Sequence, residues 1–125
     1  MPHLTMEYSA NLDAGLDMNV LCEAVHGTLM ESGLFEPGAP RVRAVCCEAY
    51  AIADKLPQNG FLDAVLKMGQ GRSDEDRKRL GEALFATLKA QTAHLLAEPH
   101  FALTLQIREI DSAFSWKKNS PKKKF

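Results

Sequence analysis

The residue best suited to chemistry stands at the amino terminus, where Pro2 follows Met1. Removal of an initiator methionine before a small residue leaves that residue with a free amine, and in Pro2 this is a secondary amine held by its ring. Burial or nearby arginines would lower the pKa of the amine, because both disfavour its charged form. An amine whose pKa approaches the working pH is suited to act as a general base. Taken alone, however, Met-Pro is also an ordinary start without a chemical role.

The histidines and cysteines offer no comparable site. The 3 cysteines contain no C-x-x-C pair, and no His-x-x-x-His spacing occurs among the 4 histidines. Cys46 and Cys47 are adjacent in a predicted strand, where neighbouring side chains point to opposite faces, so their thiols are not expected to converge. We therefore expect no metal site. Phosphate loops, dinucleotide fingerprints and nucleophile motifs are also missing from the sequence.

Arg72 lies between a predicted tight turn, Gly-Gln-Gly at residues 69–71, and a predicted helix. Ser73 and Asp76 have the spacing of a capping box, and the acidic residues 74–76 complement the positive end of a helix. Arg72 is open to two interpretations. It is either a surface arginine paired with those carboxylates or a ligand for an anion held at the start of the helix.

The apolar residues predict six elements in a repeated order of strand, helix and strand. Strands are predicted at His3–Tyr8, Arg41–Tyr50, Phe61–Met68 and Phe101–Arg108, and helices at Leu16–Leu29 and Ser73–Leu96. The second strand is expected to be buried on both faces. We predict an α+β fold of one domain, residues 1–125, in which pseudo-repeats at about 1–55 and 60–112 form a four-stranded sheet with two helices on one face.

Such a fold leaves the second face of the sheet uncovered. Val45 and Cys47 are predicted to lie there, so the face is expected to carry apolar side chains. Because exposed apolar patches favour association, we expect this face to be buried against other copies of the chain.

The charges are unevenly distributed along the chain. Five of the 15 basic residues are lysines within residues 117–125, which leaves 10 basic against 16 acidic residues in the rest. An acidic body is a poor surface for nucleic acid, and no apolar run approaches the length of a membrane span. The odd number of cysteines favours a reducing cytoplasm. The lysine-rich tail is interpreted as a solvated terminus, with contact to an anionic partner as the alternative.

Several short stretches carry a family resemblance when taken in order along the chain. Over essentially all 125 residues, the sequence resembles the 5-carboxymethyl-2-hydroxymuconate isomerase family of the tautomerase superfamily. The matching stretches are Met1-Pro2-His3, Gly33-Leu34-Phe35, Arg41-Val42-Arg43, Leu66-Lys67-Met68-Gly69, Gly71-Arg72-Ser73 and Ile107-Arg108-Glu109-Ile110.

The resemblance implies a homotrimer in which Pro2 is the acid/base, Arg41 and Arg72 bind substrate carboxylates, and Arg43 assists them. The implied substrate is a carboxylated dienol from aromatic-acid (homoprotocatechuate) catabolism, converted to its conjugated keto isomer without metal or cofactor. Two alternatives stay open. One is a sibling tautomerase acting on a smaller enol, such as 2-hydroxymuconate or phenylpyruvate. The other is a non-catalytic oligomeric binding module.

Overall fold

A computed structural model describes residues 1–123 of the chain, so Lys124, the last lysine of the tail, and Phe125 lie outside the described residues. The strands are β1 (His3–Ser9), β2 (Arg41–Cys47), β3 (Gly60–Gly69) and β4 (Phe101–Ile110), and the helices are α1 (Met18–Glu31), α2 (Asp74–Gln91) and the short α3 (Ala93–Leu96). Single 3₁₀ turns follow β1 at Ala10–Ala14 and β4 at Ser112–Phe114. Within residues 1–123, no helix has the length and apolar character that a membrane span requires.

The four strands form one mixed sheet in the order β2-β1-β3-β4. β1 is parallel to β2, β3 is parallel to β4, and the central pair β1 and β3 is antiparallel. Each parallel pair is joined through a helix, since parallel strands require a crossover connection. The predicted α+β fold of two strand-helix-strand units is therefore confirmed.

Alternate residues of the sheet build the core together with one stripe from each long helix. From the two central strands come Leu4, Met6, Tyr8, Leu62, Ala64, Leu66 and Met68, and from the helices Leu21, Val25, Leu29, Leu80, Leu84 and Leu88. Burial of every second strand residue and every fourth helix residue is the expected outcome of period 2 and period 3.6. Both helices consequently cover the same face of the sheet, as predicted.

The helix starts follow from their caps. The Asp17 carboxylate accepts hydrogen bonds from the backbone N–H groups of Asn19 and Val20, at 2.9 and 3.3 Å, so α1 begins one residue later. The Ser73 hydroxyl accepts from the N–H of Asp76 at 3.1 Å, which gives the predicted start of α2. Such caps satisfy N–H groups that have no partner within the helix.

The prediction that β2 is buried on both faces was wrong. β2 ends at Cys47 and lies at the edge of the sheet, and Arg41, Arg43 and Val45 are exposed in the chain. A short apolar run has the same appearance in a central strand and in an edge strand, because its position in the sheet is set by the connections.

The second helix is also shorter than predicted. α2 ends at Gln91, and the fully buried Thr92 separates it from α3. The Thr92 hydroxyl donates to the carbonyl of Leu88 at 2.7 Å. The backbone of Thr92 departs from helical geometry, with φ −114° and ψ 17°, and this departure ends α2.

We call the sheet face opposite the helices the open face. The strand registers place on it His3, Thr5, Glu7, Arg41, Arg43, Val45, Cys47, Phe61, Asp63, Val65, Lys67, Ala102, Thr104, Gln106 and Arg108. Val45 and Cys47 lie there as predicted. The surface is nevertheless mixed rather than apolar, since charged residues from all four strands are interspersed with the apolar ones.

Candidate active site

Pro2 lies at one end of the sheet, immediately before β1. The residue is buried, and its carbonyl accepts a hydrogen bond of 3.0 Å from the backbone N–H of Arg41. This bond ties the start of β2 to the start of β1. Because β3 runs antiparallel to β1, its last residues reach the same end, and the turn that follows β3 brings Arg72 there.

The amino terminus sits in a positively charged environment. Burial lowers the pKa of the Met1 amine first, followed by the positive charges of Lys117, Arg72 and Arg41. Each of these effects disfavours a protonated amine. Pro2, the residue next to this amine, is itself buried. The geometry thus brings Pro2 together with Arg41 and Arg72.

Arg72 is held by backbone carbonyls and an aromatic ring. Its Nη2 donates to the carbonyl of Leu34 at 2.9 Å and its Nη1 to that of Gly69 at 3.3 Å. The guanidinium carbon lies 4.7 Å from the centre of the Phe35 ring, a cation–π contact. Gly71, just before it, has φ +109°, a conformation that residues with a Cβ rarely adopt.

The acidic residues at the start of α2 pair elsewhere. Asp74 bonds to Arg77, and Asp76 bonds to Arg79 at 3.4 Å. Within residues 1–123 no ion pair joins Arg72 to a carboxylate. Arg72 therefore keeps its positive charge uncompensated beside the amine, and of its two interpretations this arrangement favours the anion ligand.

Arg41 and Arg43 lie on the same face of β2 but have different hydrogen-bond partners. The Nη1 of Arg41 donates to the carbonyls of Gly38 and Ala39, at 2.7 and 2.9 Å, which leaves further N–H groups of its guanidinium to bind a ligand. Arg43 lies on the open face and donates to Nδ1 of His3 at 3.2 Å. Because a guanidinium only donates, this Nδ1 is an acceptor and carries no proton.

His3 responds to the same electrostatic field. Burial lowers the pKa of its imidazole, and the charges of Arg43, the amino terminus, Arg41 and Lys67 lower it further. The cations around the start of β1 thus lower the pKa of two groups, the terminal amine and the His3 imidazole. A neutral His3 is consistent with its role as acceptor for Arg43.

Lys117 is a neighbour of the amine that the sequence did not indicate. Among the positive charges acting on the amino terminus, its contribution is the largest. The tail after β4 returns towards this end of the molecule, where Lys122 forms an ion pair of 3.3 Å with Glu36. In the sequence, Lys117 is one of several similar lysines, and nothing in the pattern distinguishes it.

The cysteines and the surface grooves lie apart from Pro2. Cys46 packs against the core while Cys47 is on the open face, so the two thiols do not converge. Burial raises the pKa of the Cys22 and Cys46 thiols, which leaves less of the reactive thiolate. Of two surface grooves, one lies between α2 and β4 beside Phe85 and the other beside His94. Among residues 1–123, no three His, Cys, Asp or Glu side chains cluster closely enough to hold a metal ion.

Comparison with known proteins decides the family. Residues 2–125 match the family described as 5-carboxymethyl-2-hydroxymuconate isomerase. The chain belongs to this family. Its sequence is 32% identical over 120 residues to the Escherichia coli 5-carboxymethyl-2-hydroxymuconate Delta-isomerase, covering 96% of this chain and 95% of the relative. The predicted family resemblance is confirmed.

Solved structures agree with this assignment. The 5-carboxymethyl-2-hydroxymuconate isomerase of Deinococcus radiodurans R1 is 37% identical, with a TM-score of 0.89 over 95% of this chain and 90% of that one. A fused 4-OT protein described as a symmetric trimer shares the fold at 12% identity, with a TM-score of 0.64 over 93% of each chain. Membership of the 5-carboxymethyl-2-hydroxymuconate isomerase family identifies the chain as an isomerase with a tautomerase-like fold.

Proposed function

We propose that the protein isomerises 5-carboxymethyl-2-hydroxymuconate to its conjugated keto form, with Pro2 as the acid/base. The observation that carries this proposal is the convergence of burial, Lys117, Arg72 and Arg41 on the amino terminus, which lowers the pKa of the Met1 amine. Removal of Met1 would leave the amine of Pro2 one residue away, in the same surroundings. A terminal amine with a lowered pKa is free to accept a proton near neutral pH.

The reaction needs one group that accepts a proton and returns it. The nitrogen of Pro2 removes the proton from the dienol hydroxyl, the oxygen becomes a carbonyl, and the double bond shifts along the chain. The protonated amine then donates the same proton to the distant carbon, which restores the amine and leaves the overall charge unchanged. Positioned proton transfer of this kind contributes about 10² to 10⁴ in rate.

The arginines bind and orient the substrate. Arg72, which already donates to two carbonyls, retains N–H groups for a carboxylate, and its anion would also lie near the first N–H groups of α2. Arg41 binds a second carboxylate from the β2 side. Both positive charges also stabilise the dienolate that forms when the hydroxyl loses its proton.

We further propose that the chain works as a homotrimer in which the open face is buried. The trimeric assembly described for a protein of the same fold supports this. The open face carries Val45, Phe61 and Val65 among its charged residues, and exposed apolar side chains favour burial between copies.

The experiment is an ultraviolet ketonisation assay with 5-carboxymethyl-2-hydroxymuconate. It compares untagged protein, shown by mass spectrometry to begin at Pro2, with the Pro2→Ala variant. We expect turnover in the first and a loss of about 10² or more in the second. Equal turnover would reject Pro2 as the base, and no turnover with this substrate alongside activity on 2-hydroxymuconate or phenylpyruvate would reject the proposed substrate.

A further inference from the structure

A row of basic residues crosses the sheet at the end where Pro2 lies. In the strand register, His3 pairs with Arg41 on one side and with Lys67 on the other, and Lys67 pairs with Arg108. We call these four residues the basic row. Neighbouring strands are about 4.8 Å apart, so the row spans about 14 Å across the sheet.

Lys67 is the residue of the basic row that pairs with β1 and to which no function has yet been assigned. Its side chain is exposed in the single chain, and within residues 1–123 it forms no ion pair with a carboxylate. The acidic residues of the open face, Glu7 and Asp63, are opposite each other in the strand register. They lie four residues further along the strands, a separation of about 13 Å, which is too far for a contact with Lys67.

Lys67 lies at the same end of the sheet as the terminal amine. Pro2 lies at the end of the sheet, where it directly precedes His3 of the open face. Arg72 approaches from the helix side, where it precedes α2, whereas Lys67 is on the open face, directly opposite the residue that follows Pro2. The charge of Lys67 is among those that lower the pKa of the His3 imidazole, and His3 is the residue next to Pro2.

The chemistry of the proposed substrate supplies a partner for this charge. A muconate has two carboxylates, and the carboxymethyl arm adds a third, whereas Arg41 and Arg72 account for two. We propose that Lys67 binds the third carboxylate and sets the preference for a tricarboxylate over a dicarboxylate enol, an inference that rests on the proposed function. A lysine ammonium is a point charge on a flexible stem, which suits a carboxylate on a rotatable arm better than a fixed guanidinium fork does.

The test compares Lys67→Met with Lys55→Met, a matched loss of one exposed lysine in the loop beyond the opposite end of the sheet. Steady-state kinetics are measured with 5-carboxymethyl-2-hydroxymuconate and with 2-hydroxymuconate. We expect Lys67→Met to raise KM for the first substrate by about tenfold to a hundredfold, the range for a hydrogen bond to a charged group. Its kcat, and KM for the second substrate, stay within about twofold, and Lys67→Arg retains most of the preference.

Three kinetic outcomes would contradict the role of Lys67 as the ligand of the third carboxylate. Unchanged kinetics in Lys67→Met, equal losses with both substrates, or the same loss in Lys55→Met would overturn the proposal. A change of oligomeric mass by light scattering would assign Lys67 to contacts between copies instead, and would also overturn it.

Titration calorimetry separates this inference from the proposed function. If the unaltered protein turns over neither substrate, the proposed function fails, and binding of tricarballylate and glutarate then tests Lys67 directly. Tighter binding of the tricarboxylate, lost in Lys67→Met, supports the inference. Equal binding of the two probes overturns it.

Discussion

The hydroxyl groups of Thr28 and Thr87 lie 2.6 Å apart and join α1 to α2. Each hydroxyl is also 3.2 Å from the carbonyl four residues before it, at Ala24 and Ala83. Since a hydroxyl carries one proton, one threonine donates to the other, which in turn donates to its own helix. The two threonines thus have the same neighbours, each other and a carbonyl of their own helix, and they lie in corresponding turns of the two strand-helix-strand units.

This contact predicts a coupled loss of stability. Replacing Thr28 or Thr87 by Val should lower the free energy of unfolding by about 1 kcal/mol, because the remaining hydroxyl loses its partner. The double variant should lose little more than either single variant, since replacing both partners removes the unpaired group. Urea denaturation of the four proteins provides the measurement, and strictly additive losses would contradict the pairing.

Lys117 should influence the pH above which the enzyme becomes active. Its positive charge lowers the pKa of the terminal amine, so Lys117→Leu should raise that pKa. Because the base must be unprotonated, the acidic limb of the kcat/KM profile should move to higher pH. Lys118→Leu is the matched control in the neighbouring position. Identical profiles for both variants and the unaltered protein would show that the tail does not act on the amine.

Phe35 should position Arg72 through the contact between its ring and the guanidinium. Phe35→Leu removes the ring but keeps an apolar side chain, and we expect KM to rise about fivefold with a smaller change in kcat, in keeping with a cation–π contact of about 1 kcal/mol. Phe85→Leu is the control, since it removes the ring that faces Lys89 at 5.4 Å on α2. Equal effects on KM in the two variants would argue against positioning.

Two glycines should respond in opposite directions to the same substitution. Gly71 has φ +109°, so Gly71→Ala should cost about 1–3 kcal/mol of stability and displace Arg72, with KM raised. A Cβ on Gly27 in α1 would meet nothing within 4 Å, so Gly27→Ala should stabilise the protein by about 0.5–1 kcal/mol. Thermal denaturation compares the two variants, and a stable, fully active Gly71→Ala would refute the requirement for glycine there.

Local sequence patterns predict a strand or helix well when its own alternation of apolar and polar residues determines which of its side chains are buried. The alternation from Phe101 to Ile107 predicted β4, and those alternate residues pack against the core. The edge position of β2 was missed because it depends on the order of the strands in space. The end of α2 at Gln91 was missed because the apolar periodicity continues past it to Leu95 and Leu96.

The candidate site was predictable to a similar extent. The spacing of a turn, Arg72 and a capped helix is local and indicated a place for an anion. The bond from Arg72 to the carbonyl of Leu34 joins residues 38 positions apart, and the approach of Lys117 to the amino terminus joins opposite ends of the chain. No local pattern encodes contacts of this range, so neither contact was predictable from the sequence.

The antiparallel pairing of β1 with β3 has a consequence for the evolution and redesign of this scaffold. Leu4 pairs with Leu66 and Met6 with Ala64, so a shift of sixty positions converts one pair into the other. By that relationship the counterpart of Pro2 is Leu62, whose nitrogen is an amide inside the chain. A duplicated gene fused end to end thus retains one reactive amine where two separate copies would have two. Circular permutation that opened the chain before residue 62 and joined the original termini would turn the nitrogen of Pro2 into an amide. The free amine would then lie at the opposite end of the sheet, where neither Arg41 nor Arg72 is present.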